Sequence, residues 1–135
     1  MRFVLLFLFI IFSFANQSEY LYALKLYYDQ NSTNNTQALK LLEQVTVENQ
    51  NADAAFLLAV AYSDGKLVEK NLDKSLYWYE VAANLGDIDA MMFAGWIYYQ
   101  KKEYQKAKEW FEKAYKLGDK EALEMINLID SLSNW

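Results

Sequence analysis

The stretch LYWYEVAANLGD, residues Leu76–Asp87, returns in altered form as AKEWFEKAYKLGD, residues Ala107–Asp119. Its apolar positions lie three and four residues apart, which is the spacing of one face of a helix. The glycine near its end, Gly86 in the first copy and Gly118 in the second, suits the left-handed cap that ends a helix. The stretch therefore predicts an α-helix with a defined end, present at least twice in the chain.

The whole repeated unit is longer than this stretch. Residues 52–87 align with residues 88–119 over a first helix, a turn and a second helix, and the later copy has 32 residues instead of 36 because its turn is shorter. Upstream, residues 18–51 form a more divergent copy, and residues 120–135 supply one further helix. A single helix pair cannot bury its own apolar face, so such units stack on one another. The expected fold is all-α: a short right-handed α-solenoid of about three helix pairs plus a C-terminal capping helix.

The first 15 residues, MRFVLLFLFIIFSFA, have the composition of a secretory signal peptide. Arg2 precedes an apolar run over residues 3–12, and small residues follow at the two positions that a signal peptidase reads. We therefore expect cleavage before Asn16, export to the bacterial periplasm or the exterior, and a mature repeat domain of residues 16–135. The competing interpretation is a retained membrane anchor, for which the run is shorter than the roughly 20 apolar residues of a spanning helix.

The composition of the mature chain excludes several classes of function. After cleavage, 12 lysines face 18 carboxylates, a net charge of −6, and no arginine remains to bind phosphate. We therefore expect no nucleic acid partner and no insertion into a membrane. The chain has no histidine and no cysteine, which excludes Ser–His and Cys–His nucleophile pairs and the ordinary zinc and haem sites. No metal and no cofactor are expected.

The unit at residues 52–87 resembles the Sel1-like repeat family, a relative of the tetratricopeptide repeats. The positions that match the family pattern at its spacing are Ala54, Leu58, Tyr62, Gly65, Val68, Lys74, Trp78, Ala82, Ala83 and Gly86. The unit at residues 88–119 matches in its helices and has a shorter, tetratricopeptide-like turn. The resemblance implies a stacked helical scaffold. It also implies structural roles for Tyr62, Gly65, Trp78, Gly86, Tyr98, Trp110 and Gly118.

In tetratricopeptide geometry the first helix of each unit lines a concave face, and equal offsets within each unit give equivalent inward positions. The candidate partner-binding residues at these positions are Tyr22, Leu26, Phe56, Val60, Met92, Trp96 and Tyr99. We interpret them as an apolar, aromatic groove for a peptide or a helix of another protein. Alternatively, the terminal helix covers this stripe, or two copies of the chain pair through it as a homodimer.

The sequence thus favours a non-enzymatic periplasmic adaptor or scaffold. One alternative is an immunity-type inhibitor of an exported toxin, since an acidic groove rim would suit a basic partner. A carboxylate-dependent hydrolase is disfavoured, because Glu80 and Glu112 lie at equivalent positions beside Trp78 and Trp110, where duplication alone would place them. A β-lactam-directed activity belongs to a branch of the family with a disulfide in every repeat, and this chain has no cysteine.

The polar stretch DQNSTNNT, residues 29–36, is interpreted as the turn between the first two helices. Within it, Asp29, Asn31 and Thr33 are spaced as in the extended acceptor of the bacterial oligosaccharyltransferase, which this segment resembles. Asn31 is therefore a glycosylation candidate in a host that has this pathway. The alternative is an ordinary solvated loop.

Overall fold

The computed structural model describes residues 1–29 and 32–133, and all regular structure in these ranges is α-helical. The helices are α1 (Arg2–Tyr28), α2 (Ser32–Asn49), α3 (Ala52–Asp64), α4 (Leu72–Asn84), α5 (Ile88–Gln100), α6 (Tyr104–Lys116) and α7 (Glu121–Ser133). Each helix packs against the next one in the chain. The predicted solenoid of three helix pairs and a closing helix is confirmed.

The two central units differ in the turn between their helices, while α3, α4, α5 and α6 all have 13 residues. Seven residues connect α3 to α4, and three connect α5 to α6. Both turns close in the same way. The backbone N–H of Asn71 donates to the carbonyl of Tyr62, and that of Glu103 donates to the carbonyl of Tyr98, each at 2.9 Å. The four extra residues of the longer turn therefore leave this closing hydrogen bond unchanged, although the side chain of Asn71 caps α4 and that of Glu103 does not cap α6.

Glycines mark the ends of three helices. Gly65, Gly86 and Gly118 have φ angles of 68°, 101° and 107°, in the left-handed region that a residue with a Cβ adopts only at a cost. Directly after Gly86, the side chain of Asp87 accepts a hydrogen bond from the backbone N–H of Ala90 at 2.8 Å. This is the N-cap of α5, so one helix ends and the next begins within three residues.

The core consists of two clusters of buried side chains. One lies among α1, α2 and α3 and contains Leu42 and Leu58. The other extends from α3 to α7 and contains Phe111 and Ile126. Trp78 on α4 is partly buried and packs against both clusters. It therefore connects the first helix pair to the rest of the array.

Other side chains also hold neighbouring helices together. Tyr62 and Trp110 are buried, and the Lys113 ammonium lies 4.0 Å from the centre of the Trp110 ring. Tyr98 on α5 donates a hydrogen bond from its hydroxyl to Glu80 Oε1 on α4, at 2.7 Å. The Tyr98–Glu80 hydrogen bond joins two successive units, whereas the contact between Lys113 and Trp110 lies within α6.

Gly95 lies in the middle of α5 and faces α6. A Cβ at this position would lie 2.7 Å from Cε1 of Phe111, whose side chain is fully buried. No side chain larger than hydrogen fits there without a shift of the ring. The close approach of α5 and α6 explains why a glycine occupies a helix interior, where it otherwise lowers stability.

The N-terminal apolar segment continues into the domain without a break, since α1 runs from Arg2 to Tyr28. Side chains 3–14 are exposed, and the first buried residues of α1 are Ala23, Leu26 and Tyr27, which belong to the core shared with α2. Among the described residues, one stretch, Phe3–Tyr28, is long and apolar enough to cross a membrane by length and composition alone. This helix also fits a signal sequence followed by the first helix of the domain.

The turn between α1 and α2 is shorter than the polar stretch that predicted it. Residues 32–36 form the first turns of α2, so the predicted loop over residues 29–36 is wrong in its second half. Asn, Ser and Thr favour helix starts as well as loops, and composition alone does not separate the two. Asn31, the glycosylation candidate, lies outside the described residues.

Candidate functional site

The helices α1, α3 and α5 are the first helices of the three units, and α7 is the closing helix. The exposed sides of these four helices are here called the inner face. Two clefts open on it between α1 and α3. The larger, about 550 Å³, is lined by Tyr27, Tyr28, Asn35, Leu57, Val60, Asp64, Lys66 and Leu67. The smaller, about 400 Å³, is lined by Tyr20, Leu24, Tyr28, Asp53, Phe56, Leu57, Asp87 and Asp89. Tyr28 and Leu57 line both clefts, which therefore form one trench along α3.

Three aromatic rings from α3, α4 and α5 form a cluster beside this trench. Phe56 lies edge to face against Tyr79 and against Phe93, with ring centres 5.4 and 5.6 Å apart. Tyr79 and Phe93 stack at 5.0 Å. Tyr79 is buried, whereas Phe93 is 45% exposed. The cluster thus presents an aromatic surface that is held from below by a core tyrosine.

A second aromatic group continues the surface along α5. Trp96 is 41% exposed, and its ring lies edge to face against Tyr99 at 5.7 Å and against Phe111 at 6.3 Å. Tyr99 in turn contacts Tyr104 on α6 at 5.5 Å. Trp96 is therefore fixed by the core through Phe111 and open to solvent on its other side.

The candidate residues of α3 and α5 lie where the trench and the aromatic groups are. Phe56 and Val60 line the two clefts. Met92 and Tyr99 are partly buried and pack against the core, and Trp96 is exposed. The structure brings these five residues to neighbouring positions on the first helices of the second and third units.

The two candidates on α1 are placed differently. Leu26 is 8% exposed and packs in the core with α2, so it is not part of an open surface. Tyr22 is exposed but lines neither cleft. The residues of α1 that line the trench are instead Tyr27 in the larger cleft, Tyr20 and Leu24 in the smaller cleft, and Tyr28 in both. Tyr20, Leu24 and Tyr28 are displaced by two residues from the predicted pair, which is about 200° around a helix.

This displacement arises because the first unit is too divergent for a reliable register. The prediction matched Leu24 to Leu58, an offset of 34, whereas the buried tyrosines Tyr27 and Tyr62 match at an offset of 35. This changes the register by one residue, and the cleft residues Tyr20 and Leu24 lie one residue further along in the same direction, towards the N-terminus. The four-residue spacing of Tyr20, Leu24 and Tyr28 was a visible signal of a helix face. Phe93 was also missed, because equal offsets from the second unit point to Met92.

Polar groups are concentrated at the two ends of the trench. At one end the side-chain amide of Asn35 donates to the carbonyl of Leu67 at 3.3 Å, while its buried Oδ1 has no hydrogen-bond partner among the described residues. At the other end stand the carboxylates of Asp53, Asp87 and Asp89. Asp87 is engaged as the cap of α5. The trench therefore combines apolar and aromatic walls with an acidic end.

The two carboxylates considered for hydrolytic chemistry lie on second helices. Glu80 on α4 accepts the hydrogen bond from the Tyr98 hydroxyl, which ties it to the neighbouring unit. Glu112 is on α6. Neither residue lines the two clefts of the inner face.

The sequence and the fold are both similar to known repeat proteins. The family model for the Sel1 repeat matches residues 52–87 and 88–119. No curated protein matches the chain. A solved structure with a similar fold is the crystal structure of a Sel1 repeat protein from Oxalobacter formigenes, with 24% sequence identity and a TM-score of 0.71 over 84% of this chain. The match covers 48% of that protein, so the chain spans about half its length. The two matched repeats extend over half of the sequence, and the chain belongs to the Sel1 repeat family.

Proposed function

We propose that this protein is an exported, non-enzymatic interaction module that binds a segment of another protein on its inner face. Sel1 repeats generally mediate protein–protein interaction. The observation that carries the proposal is the pair Phe93 and Trp96, which are both more than a third exposed and are supported from below by Tyr79 and Phe111. Aromatic side chains that are rigid before binding lose little entropy on binding, and they dominate the energetics of interfaces.

The closing helix leaves this surface open. Its buried side, with Met125 and Ile129, packs in the core cluster shared with α6. Phe93 and Trp96 remain exposed with α7 in place. The inner face is thus available to another polypeptide, which is either a partner protein or a second copy of the chain.

The position of α1 supports export with cleavage more than a retained anchor. Ala23, Leu26 and Tyr27 are committed to the core with α2, so the last part of the helix belongs to the folded domain. The exposed apolar part, residues 3–14, is about 18 Å long at the rise of an α-helix, and a bilayer core is about 30 Å thick. Among the side chains that the structure describes, removal of residues 1–15 would take away none that is buried in the core.

The test of the binding face is a capture experiment with identified products. The protein is expressed as the full chain, recovered from the exported fraction and used as bait in envelope extract of its host, and captured proteins are identified by mass spectrometry. Trp96→Ala is expected to lose the specific partner. Its own stability should fall by about 1–2 kcal/mol, because the ring also contacts Tyr99 and Phe111.

The matched control is Tyr77→Ala, which removes an exposed aromatic ring from α4, on a second helix. It should retain the partner. If Trp96→Ala stays folded by circular dichroism and still captures the same protein, the inner face is not the binding surface. Size-exclusion chromatography of the bait alone tests whether the inner face binds a second copy of the chain instead of another protein. If it does, wild type should elute as a dimer and Trp96→Ala as a monomer.

A further inference from the structure

Charge is distributed unequally between the two layers of the array. The first helices α3, α5 and α7 contain no lysine and no arginine. They carry six carboxylates: Asp53, Asp64, Asp89, Glu121, Glu124 and Asp130. All ten lysines after residue 51 lie in α4, in α6 or in the connections between helices. The net negative charge of the chain is thus concentrated on three of the four helices that form the inner face.

These carboxylates are mostly not neutralised within the molecule. Among the described residues, one of the six forms an ion pair within 4 Å, namely Asp130 with Lys108. Asp53 and Asp89 are exposed at the acidic end of the trench, and no lysine lines that cleft. A negatively charged partner would therefore be repelled by this surface, whereas a positively charged partner would be attracted to it.

The same cleft has aromatic walls. Tyr20, Tyr28 and Phe56 line it together with Asp53 and Asp89. A lysine or arginine side chain fits both features, because its alkyl stem packs on apolar surface and its charged end interacts with ring faces and carboxylates. A neutral apolar segment would pack against the aromatic walls. It would also displace water from the carboxylates without providing a charged or hydrogen-bonding partner, which is unfavourable.

We propose that the segment bound on the inner face is cationic, with lysine or arginine side chains beside aromatic or aliphatic anchor residues. This inference rests on the proposed function and adds the chemical class of the partner. The basic residues bind at the Asp53–Asp89 end of the trench, and the apolar anchors bind on Phe93 and Trp96. Charge attraction also accelerates the encounter with such a segment and makes it sensitive to salt.

The test is a selection from a displayed library of random 12-residue peptides. The protein is expressed as the full chain and purified in a neutral detergent, which accommodates an attached N-terminal segment. Selected peptides are expected to be enriched in Lys and Arg together with aromatic or aliphatic residues. For a selected peptide, raising the ionic strength from about 0.01 to about 0.15 M shortens the Debye length from about 30 to about 8 Å. The affinity should fall at least roughly tenfold.

Two double variants with equal charge change separate the inner face from the rest of the surface. Asp53→Asn/Asp89→Asn is expected to weaken a selected peptide by roughly tenfold and to abolish the enrichment in basic residues. Asp87 is left unchanged, because it caps α5. Glu69→Gln/Glu109→Gln alters exposed carboxylates outside the inner face. It should change the affinity by no more than about twofold.

The outcomes distinguish the two proposals. If peptides are selected that depend on Trp96 but are neutral or acidic, the cationic partner is refuted and the binding face is retained. If Trp96→Ala leaves the affinity for the selected peptides unchanged, or if no peptide is enriched, both the binding face and its charge preference are refuted. Equal losses in the two double variants would show that net charge, and not the trench, attracts the peptides.

Discussion

Gly95 determines how closely α5 approaches α6. The equivalent residue in the preceding unit is Ala59, and the residue that aligns with Phe111 is Tyr79, which is buried in the same core cluster as Ala59. The preceding unit therefore accommodates a methyl group at this point, whereas a Cβ at Gly95 would meet the Phe111 ring at 2.7 Å. At this position, the methyl group of one helix pair is replaced by a hydrogen in the other.

Gly95→Ala is predicted to destabilise the protein although alanine is the better helix former. Relief of the glycine penalty contributes up to about 1 kcal/mol, but overpacking against a buried ring costs typically 1–3 kcal/mol. The net loss should be about 1–2 kcal/mol in the free energy of unfolding, measured by urea denaturation. Ala59→Gly is the matched control and should also destabilise, by about 1 kcal/mol through helix propensity. A gain in stability for Gly95→Ala would show that α5 and α6 are further apart than described.

Residue positions that depend on local spacing were predictable, and those that depend on register were not. The unit with Gly86 and Trp78 has a regular sequence pattern, so its cap and its large core side chain are visible without a structure. In the divergent first unit, a helix face was assigned two residues away from the observed one, and Leu26 was placed on the surface instead of in the core. Apolar side chains at adjacent helix positions, such as Met92 and Phe93, cannot be ranked by exposure from their type alone.

At the scale of helices, α5 is connected to α4 by a hydrogen bond that depends on protonation. The Tyr98 hydroxyl donates to Glu80 Oε1 at 2.7 Å. Burial, followed by this hydrogen bond and the negative charges of Glu80 and Glu103, raises the pKa of Tyr98 to about 12 from the ordinary value of 10.0. In the unfolded chain the tyrosine loses its proton near pH 10.

Stability is therefore predicted to fall as the pH rises from about 10 to about 12. The folded pKa lies above the unfolded pKa, so the contribution of Tyr98 is complete below pH 10.0 and is lost as the pH passes through the folded value of about 12. The measurement is a urea denaturation series from neutral to alkaline pH. Tyr98→Phe should lower stability at neutral pH by about 1 kcal/mol, because the hydrogen bond is lost, and should reduce the alkaline slope.

Glu80→Gln is the control for charge, since its amide oxygen can still accept the hydrogen bond from Tyr98. It should lower the pKa of Tyr98 while keeping most of the stability at neutral pH. If wild type and Tyr98→Phe lose stability with the same slope between about pH 10 and 12, other tyrosines account for the alkaline transition.

Helix count and turn length follow from the sequence more reliably than helix boundaries do. The difference of four residues between the two central units appears where it was expected, in the connection between their helices. The start of α2 was misplaced because Ser32 and the residues after it favour both turns and helix starts. After α2, a residue other than glycine, Gln50, has a positive φ of 50°, which the sequence does not indicate.

At the scale of the whole molecule, α1 combines two segments with different roles. Exposed residues 3–14 contribute nothing to the core, and the segment from Ala23 onwards packs on α2. Because α1 is continuous, no structural boundary separates them. The cleavage site was inferred from residue types that a peptidase recognises, and packing does not specify it.

Protein recovered from the exported fraction is predicted to begin at Asn16. The loss of residues 1–15 should leave the thermal unfolding temperature unchanged within about 2 °C, since side chains 3–15 are all exposed. Intact-mass spectrometry gives the N-terminus, and circular dichroism gives the unfolding temperature. Exported or membrane-bound protein that retains Met1 would contradict cleavage. The same mass measurement, made on protein from a host that glycosylates exported proteins, tests the proposed modification of Asn31.

The outward side of α7 has a consequence for assembly. In α5, Gly95 faces the next helix, and the equivalent residue of α7 is Asn127, which is exposed. A further helix docked there would have to desolvate the amide of Asn127. The exposed ends of stacked repeats can otherwise associate with one another. Because such end-to-end association has no closed symmetry, it can continue into a filament. The exposed amide of Asn127 therefore opposes end-to-end growth through this side of α7.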